Sequence, residues 1–163
     1  MDAEHFKRFA ASLTPAFADG DSEAAAKAVE AANVHRLREL YEAIGRGDTA
    51  ALFIAFAEDV ELDVVGPPGV PFVGRCQGRR QVAETVRQNF AKVENLKPEV
   101  LAVIAQGDTV VVYGRDQGRY VPTGRDFSLH WVQFFTFRNG RVVRIRQLFD
   151  SAAILAAAAP VQG

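Results

Sequence analysis

The first half of the chain carries apolar residues at helical spacing. In residues 4–18 they recur every three or four positions, at Phe6, Phe9, Leu13 and Phe17. This spacing predicts a helix that Gly20 ends. A long helix is predicted through "SEAAAKAVEAANVHRLRELYEAI", and a short one through "TAALFIAFA". A fourth helix is predicted over residues 79–95.

The remaining segments favour strands and turns. A strand is predicted at "VELDVV", and "GPPGVPFVG" after it is a loop, because its prolines lack the N–H that a sheet needs. Four further strands are predicted over residues 98–106, 109–121, 125–137 and 141–150, separated by "QGD", "PTG" and "RNG". The closing "SAAILAAAAPVQG" is a frayed helical turn or a tail. Helices segregated from antiparallel strands predict an α+β fold.

The turn "RNG" admits two registers. A two-residue Asn-Gly turn pairs Arg138 with Arg141, whereas a three-residue turn pairs Phe137 with Arg141. The first mixes apolar and charged residues on each face of the hairpin, and the second separates them. Because a one-residue slip exchanges the faces, the second register is predicted. It gathers on one face Leu129, Trp131, Gln133, Phe135, Phe137, Val143, Ile145, Gln147 and Phe149.

The turn "PTG" is interpreted in the same way, as a three-residue turn with Gly124 in the left-handed conformation. This register sets Tyr113 opposite Gln133 and Arg115 opposite Trp131, where opposed side chains touch. Arg115 can then lie over the indole ring as a cation–π pair. The same register sends the neighbouring carboxylate, Asp116, to the other face.

The predicted inner face therefore holds a polar cluster in an apolar frame, which is typical of a small-ligand site. The predicted ligand-binding residues are Tyr41, Val64, Phe90, Tyr113, Arg115, Trp131, Gln133, Phe135, Gln147 and Phe149. The alternative is a filled core in which the two glutamines bond each other or buried water. Arg115 and Asp63 are the candidates for a catalytic group.

The predicted outer face is not fully polar. Its apolar members form a strip, Val132, Phe134, Val142 and Leu148. Exposed strips of this kind mark subunit contacts, so a homodimer through this face is predicted. Arg144 and Arg146 are expected at its rim, and His130 also falls on this side.

Composition narrows the function. A chain of 163 residues fits one domain, and its net charge of −1 lacks the concentrated basic surface of nucleic-acid-binding proteins. The three histidines lie far apart and match no metal-ligand spacing, so neither a metal nor another cofactor is expected. No apolar run is long enough to span a membrane. The N-terminus lacks the apolar centre of a signal peptide, which makes the cytoplasm the expected location.

Two longer segments, "ELYEAIGRGDTAALFIAFAEDVEL" and "FFTFRNGRVVRIRQLFD", carry a family resemblance. With the order of helices and strands, they resemble the nuclear transport factor 2-like superfamily, above all its SnoaL-like polyketide cyclases and ketosteroid-isomerase-related proteins. The resemblance implies a cone, in which a curved antiparallel sheet is closed by helices as a cystatin-like α+β barrel. Residues 1–32 would be an N-terminal helical extension, 33–155 the domain and 156–163 a tail. Homodimers are usual in such families.

The resemblance also implies roles for individual positions. In the cyclases, a histidine and an aspartate on the last two strands act as acid and base, and these positions match Gln133 and Gln147. Ketosteroid isomerases carry a carboxylic acid at the position of Gln133. Their base matches Val64, and their oxyanion-binding tyrosine matches Leu40, next to Tyr41.

Limonene-epoxide-hydrolase-like members use an arginine between two aspartates. The resemblance gives that arginine's role to Arg115, but Gln147 stands where a carboxylate is needed. A glutamine amide does not titrate near neutral pH and cannot be a general base. The expected function is binding of a small apolar or aromatic ligand, with isomerase-, cyclase- or hydrolase-type activity left open. A noncatalytic homodimerisation or accessory module is the alternative.

Overall fold

The computed structural model describes residues 23–48 and 50–160. Its helices, in chain order, are α1 (Glu23–Gly45), α2 (Ala50–Ala55), α3 (Arg79–Phe90) and α4 (Ser151–Ala158). The helix predicted over residues 4–18 lies outside the described residues. Helix α4 is better formed than the frayed turn that the sequence suggested, because Asp150 accepts hydrogen bonds from the backbone N–H groups of Ala152 and Ala153.

Six strands form one curved, unclosed sheet in the order β2-β1-β6-β5-β4-β3. They are β1 (Phe56–Val65), β2 (Gly74–Gln77), β3 (Val93–Gln106), β4 (Thr109–Tyr120), β5 (Arg125–Arg138) and β6 (Arg141–Phe149). Strands β3 to β6 make the predicted antiparallel meander. Strand β1 pairs in parallel with β6 and antiparallel with β2, a short strand that the sequence did not predict. The α+β class and the cone are confirmed.

The core lies between the helices and one face of this sheet, which we call the concave face. Alternate residues of β1 illustrate it, since Val60, Leu62 and Val64 are buried while their neighbours are not. Helix α1 contributes Leu37 and Leu40 to the same core. Residues of the opposite parity point away from the helices, and we call that side the outer face.

The hairpin between β5 and β6 combines features of both registers. Asn139 and Gly140 have φ values of 51° and 73°, and Arg138 pairs with Arg141, so the predicted three-residue turn is wrong. The pairing is irregular between Thr136 and Phe137, and one residue of β6 has no partner in β5 at this bulge. Beyond this bulge the strands are paired so that both glutamines return to the concave face.

Because of the bulge, one residue that was predicted in the outer strip lies in the core instead. Val142 pairs with Phe137 and is buried, with 1% of its surface exposed. The strip on the outer face therefore consists of Val132, Phe134 and Leu148.

The hairpin between β4 and β5 departs from the prediction by one residue. Tyr120 pairs with Arg125, and the N–H of Gly124 donates to the oxygen of Tyr120 over 2.9 Å, which closes a four-residue loop. The predicted turn had three residues. Because side chains alternate between faces, this difference reverses the two sides of β4.

Candidate functional site

Three polar side chains form a chain of hydrogen bonds on the concave face. The hydroxyl of Tyr41 in α1 donates to Oε1 of Gln133 in β5. Nε2 of Gln133 then donates to Oε1 of Gln147 in β6, over 2.9 Å. The two glutamines are direct partners in the sheet. This relay joins a helix to two strands and orients both amides.

The pKa of Tyr41 is consistent with its role as the donor at the start of the relay. Burial, and to a lesser extent the negative charge of Asp116, hold the pKa of Tyr41 well above its usual range. The phenol therefore stays neutral and donates at physiological pH. Gln147 accepts through Oε1, so its Nε2 is left as a donor, and no hydrogen bond from this nitrogen is formed within residues 23–48 and 50–160.

Asp116 is a candidate site residue that the sequence analysis placed on the wrong face. It lies on the concave face of β4, where its Oδ1 accepts a hydrogen bond of 2.8 Å from Nε1 of Trp131. Burial raises its pKa above the ordinary aspartate value, and the hydrogen bond from Trp131 offsets part of that rise. No hydrogen bond to Oδ2 is found among the described residues. A half-buried carboxyl with one free oxygen can exchange a proton with a ligand.

A signal for this placement was present in the sequence. Glycines in a strand indicate close approach of another group. Gly114 and Gly118 share the parity of Asp116, and a Cβ at either position would meet a ring of β5: Trp131 over Gly114 and Phe127 over Gly118. The two glycines thus mark the face of β4 on which the aromatic side chains lie.

The structure does not bring Tyr113 and Arg115 to the cluster. Both lie on the outer face, because β4 is shifted by one residue relative to the prediction, and their partners in β5 are Val132 and His130. The Tyr113 hydroxyl is 2.8 Å from Nδ1 of His130. Nε of Arg115 donates over 2.7 Å to Glu99, so no cation–π pair with the indole forms.

Two other predicted residues also lie away from the cluster. Asp63 accepts a hydrogen bond of 2.8 Å from Nη2 of Arg146 on the outer face. Phe90 ends α3 with 47% of its surface exposed, and it is not among the residues packed on the core.

The remaining predicted residues form the apolar frame. Val64 in β1 is buried beside Gln147, and Phe135 packs edge-to-face on Tyr41 with 6.1 Å between ring centroids. Phe149 is capped by Phe72, which comes from the loop after β1, at 6.5 Å. The loop predicted at "GPPGVPFVG" thus supplies an aromatic contact to the concave face.

The outer face carries a groove of about 520 Å³. Its lining includes Val65, Phe134 and Leu148, with Arg144 and Arg146. A second groove of about 330 Å³ adjoins it near Asp59 and Arg138. These grooves are open surface features, separate from the relay on the concave face.

Two wider properties concern residues 23–48 and 50–160. None of their helices combines the length and apolar character needed to cross a bilayer. Their His, Cys, Asp and Glu side chains form no group of three that could hold a metal ion.

A comparison with known protein families identifies the family of this chain, and the matched region contains most of the sheet. The SnoaL-like domain family matches residues 37–145, which include Tyr41, Gln133, Asp116 and Trp131. The chain belongs to this family. Among curated proteins, none is similar enough to this SnoaL-like chain to match it.

Solved structures place this SnoaL-like protein among NTF2-like folds. An NTF2-like protein from Burkholderia xenovorans is 29% identical to this chain, with a TM-score of 0.69. The match covers 80% of this chain and 98% of that one. A protein of Jannaschia sp. CCS1 classed as a SnoaL-like polyketide cyclase is 21% identical (TM-score 0.68, 88% and 100% covered). An LEH-like epoxide hydrolase of M. tuberculosis is 18% identical (TM-score 0.63, 78% and 90% covered). The last two likenesses concern the fold alone.

Proposed function

We propose that the concave face binds a small apolar or aromatic carbonyl compound and moves a proton to and from the carbon next to its carbonyl group. This is chemistry of the isomerase or cyclase type. The free Nε2 of Gln147 would donate to the carbonyl oxygen, while Asp116 would accept the proton. The observation that carries the proposal is the half-buried Asp116 carboxyl, on the same face as the Tyr41–Gln133–Gln147 relay.

Physical chemistry supports these two roles. A base is most effective when its pKa lies near the working pH, and burial moves the pKa of Asp116 upward. Negative charge that develops on a carbonyl oxygen is stabilised by a donor held in place before the reaction. The relay holds Gln147 in this way, because its Oε1 already accepts from Gln133. The aromatic frame suits a ring-bearing ligand.

Hydrogen exchange tests the proposal whatever the final product of the reaction is. Aromatic and polyketide-like ketones are incubated with the protein in D2O, and the loss of the α-proton signal is followed by 1H NMR. Asp116→Asn removes the base while keeping an oxygen for Trp131, and a rate lower by about 10²–10⁴-fold is expected. Glu99→Gln is the matched control, since Glu99 lies on the outer face and pairs with Arg115. Unchanged exchange in Asp116→Asn would exclude Asp116 as the base.

We also propose that two copies of the chain meet through the outer face. Phe134 and Leu148 are 37% and 40% exposed on that face. The charges beside them are already paired, Arg144 with Glu61 and Arg146 with Asp63, at 3.3 and 2.8 Å. Two such faces can therefore approach without a net like-charge repulsion. If dimers form and no ketone is exchanged, a noncatalytic homodimerisation module is the better description.

A matched pair of leucine variants tests the dimer. Leu148→Glu places a carboxylate in the proposed interface, and analytical ultracentrifugation should then give a monomer where the unmodified chain gives a dimer. Leu155→Glu is the control, because Leu155 is 46% exposed on α4, away from the outer face. A dimer that survives Leu148→Glu, or dissociates equally in both variants, would contradict this interface.

A further inference from the structure

Trp131 is the single tryptophan of the chain, and its indole lies across Gly114 of the neighbouring strand. A Cβ added at Gly114 would stand 2.8 Å from Cε2 of the indole and 2.7 Å from the backbone oxygen of Glu99. Real Cβ atoms do not approach other atoms so closely, so position 114 provides the space that the indole occupies. In this position the indole Nε1 reaches Asp116, two residues further along β4.

The hydrogen bond between Trp131 and Asp116 can have only one direction. An indole N–H donates and never accepts. Oδ1 of Asp116 therefore accepts, both when the carboxyl is ionised and when it is protonated. Because the carbonyl oxygen of a neutral carboxyl is a better acceptor than its hydroxyl oxygen, a proton bound to Asp116 is favoured on Oδ2, the oxygen to which no described residue donates.

We propose that Trp131 is a positioning residue that makes Oδ2 the single oxygen through which Asp116 gains and loses its proton, with Gly114 as the residue that admits the indole. The proposal rests on the proposed function only in that Oδ2 is then the atom that meets the ligand. In the exchange reaction, Oδ2 takes the α-proton as the C–H electron pair moves toward the carbonyl carbon and oxygen, and it returns a solvent-derived proton to the same carbon.

Few other titratable groups face Asp116 from the elements packed around it. From α1, Tyr41 does so, and its raised pKa keeps it neutral through the acidic and neutral range. The residues paired with Asp116 are Pro98 of β3 and Leu129 of β5, and neither titrates. Glu99 bonds to Arg115 on the outer face. His130 and Asp150 lie close to the indole along the backbone, since the backbone N–H of Asp150 donates to the oxygen of His130. The Asp116→Asn variant therefore decides whether a titration observed at the indole is that of Asp116.

NMR of the indole tests the pairing independently of any substrate. With one tryptophan, the 15N-labelled chain gives one indole N–H cross-peak. Its chemical shift should follow pH between about 3.5 and 8, with a midpoint above the ordinary aspartate value of roughly 3.9. Asp116→Asn should remove this dependence and keep the hydrogen bond, whereas Glu99→Gln should preserve it. A cross-peak that does not respond to pH in the unmodified chain would overturn the proposal.

Trp131→Phe separates positioning from packing. Phenylalanine keeps a ring over Gly114 but cannot donate, and the lost hydrogen bond had lowered the pKa of Asp116. The midpoint, read from the 13C shift of the Asp116 carboxyl, should rise. The pH below which the exchange rate falls off should rise by the same amount. Below that pH, the rate falls about tenfold for each unit of pH. A packing role alone would reduce the rate at every pH and leave the midpoint in place, which would also overturn the proposal.

The two proposals fail in distinguishable ways. If the indole follows Asp116 but no ketone is exchanged, the positioning of Oδ2 stands and the proposed function falls. If exchange depends on Asp116 while the indole does not respond to pH, the function stands and the role of Trp131 falls. Should Trp131→Phe not fold, the comparison of the unmodified chain with Asp116→Asn still decides.

Discussion

The two faces of the same sheet hold charge in opposite ways. On the outer face, acidic and basic side chains are paired across neighbouring strands, as in Asp63 with Arg146 and Glu99 with Arg115. On the concave face, Asp116 has only the neutral indole as its hydrogen-bond partner among the described residues. Pairing makes charge compatible with a surface, whereas an unpaired carboxyl in partial burial is a source of reactivity. The contrast supports the concave face as the place of the proposed chemistry.

The largest expected difference between the faces concerns two adjacent phenylalanines. Phe135 is 3% exposed on the concave face, and Phe134 is 37% exposed on the outer face. Phe135→Ala should lower the free energy of unfolding by about 3–5 kcal/mol, because it leaves a cavity in the core. Phe134→Ala should lower that of the monomer by about 1 kcal/mol or less. Urea denaturation at low protein concentration measures both, and equal losses would mean that the faces are not distinct.

The relay gives the next largest effect. Gln133→Leu leaves the Tyr41 hydroxyl without its acceptor, at a cost of about 1–3 kcal/mol in the free energy of unfolding. Tyr41→Phe removes the hydroxyl itself, so the double variant should lose less than the sum of the two single losses. A double-mutant cycle by denaturation measures this coupling. Additive losses would show that the hydrogen bond contributes nothing.

A smaller effect, opposite in sign, is expected from Asp116→Asn. The pKa of Asp116 is higher in the folded chain than in the unfolded one, so the folded state binds the proton more tightly. The unmodified chain therefore loses stability as pH rises from the unfolded pKa through the folded one. Asp116→Asn lacks this loss. Its melting temperature, measured against pH, should match the unmodified chain in acid and exceed it at neutral pH; a lower value at neutral pH would contradict the burial argument.

The smallest effect belongs to the outer ion pairs. Arg146 and Asp63 are 51% and 18% exposed, and pairs of this kind contribute about 0–1 kcal/mol. Asp63→Asn should therefore change the free energy of unfolding by about 1 kcal/mol at most and leave hydrogen exchange into ketones unaffected. A marked loss of exchange would instead give Asp63 the role proposed for Asp116.

Local pattern predicted most of the fold because helices and strands differ in the spacing of their apolar residues. The meander, the α+β class and the concave position of both glutamines could all be derived in this way. The parallel pairing of β1 with β6 could not, since no local signal links two segments so distant in sequence. Strand β2 was also missed, because its four residues, Gly74–Gln77, carry no alternating pattern.

The site was predicted unevenly because register depends on turns. At Asn139-Gly140 the turn was wrong, but the bulge restored the parity, so Gln133 and Gln147 were placed correctly. At the β4–β5 loop no bulge compensates for the one-residue difference. The prediction consequently placed Tyr113 and Arg115 on the concave face, where the structure has Gly114 and Asp116. The size of one loop thus decided whether the catalytic candidate was found.

The parallel pairing of β1 with β6 has a consequence for synthesis on the ribosome. Asp63 and Arg146, which are partners in that pairing, are 83 residues apart in the sequence. Until β6 emerges, β1 keeps an unpaired edge beside apolar side chains, a combination that invites aggregation. A nascent chain stalled before residue 141 should therefore need a chaperone, whereas release of the last strand should let the sheet assemble at once.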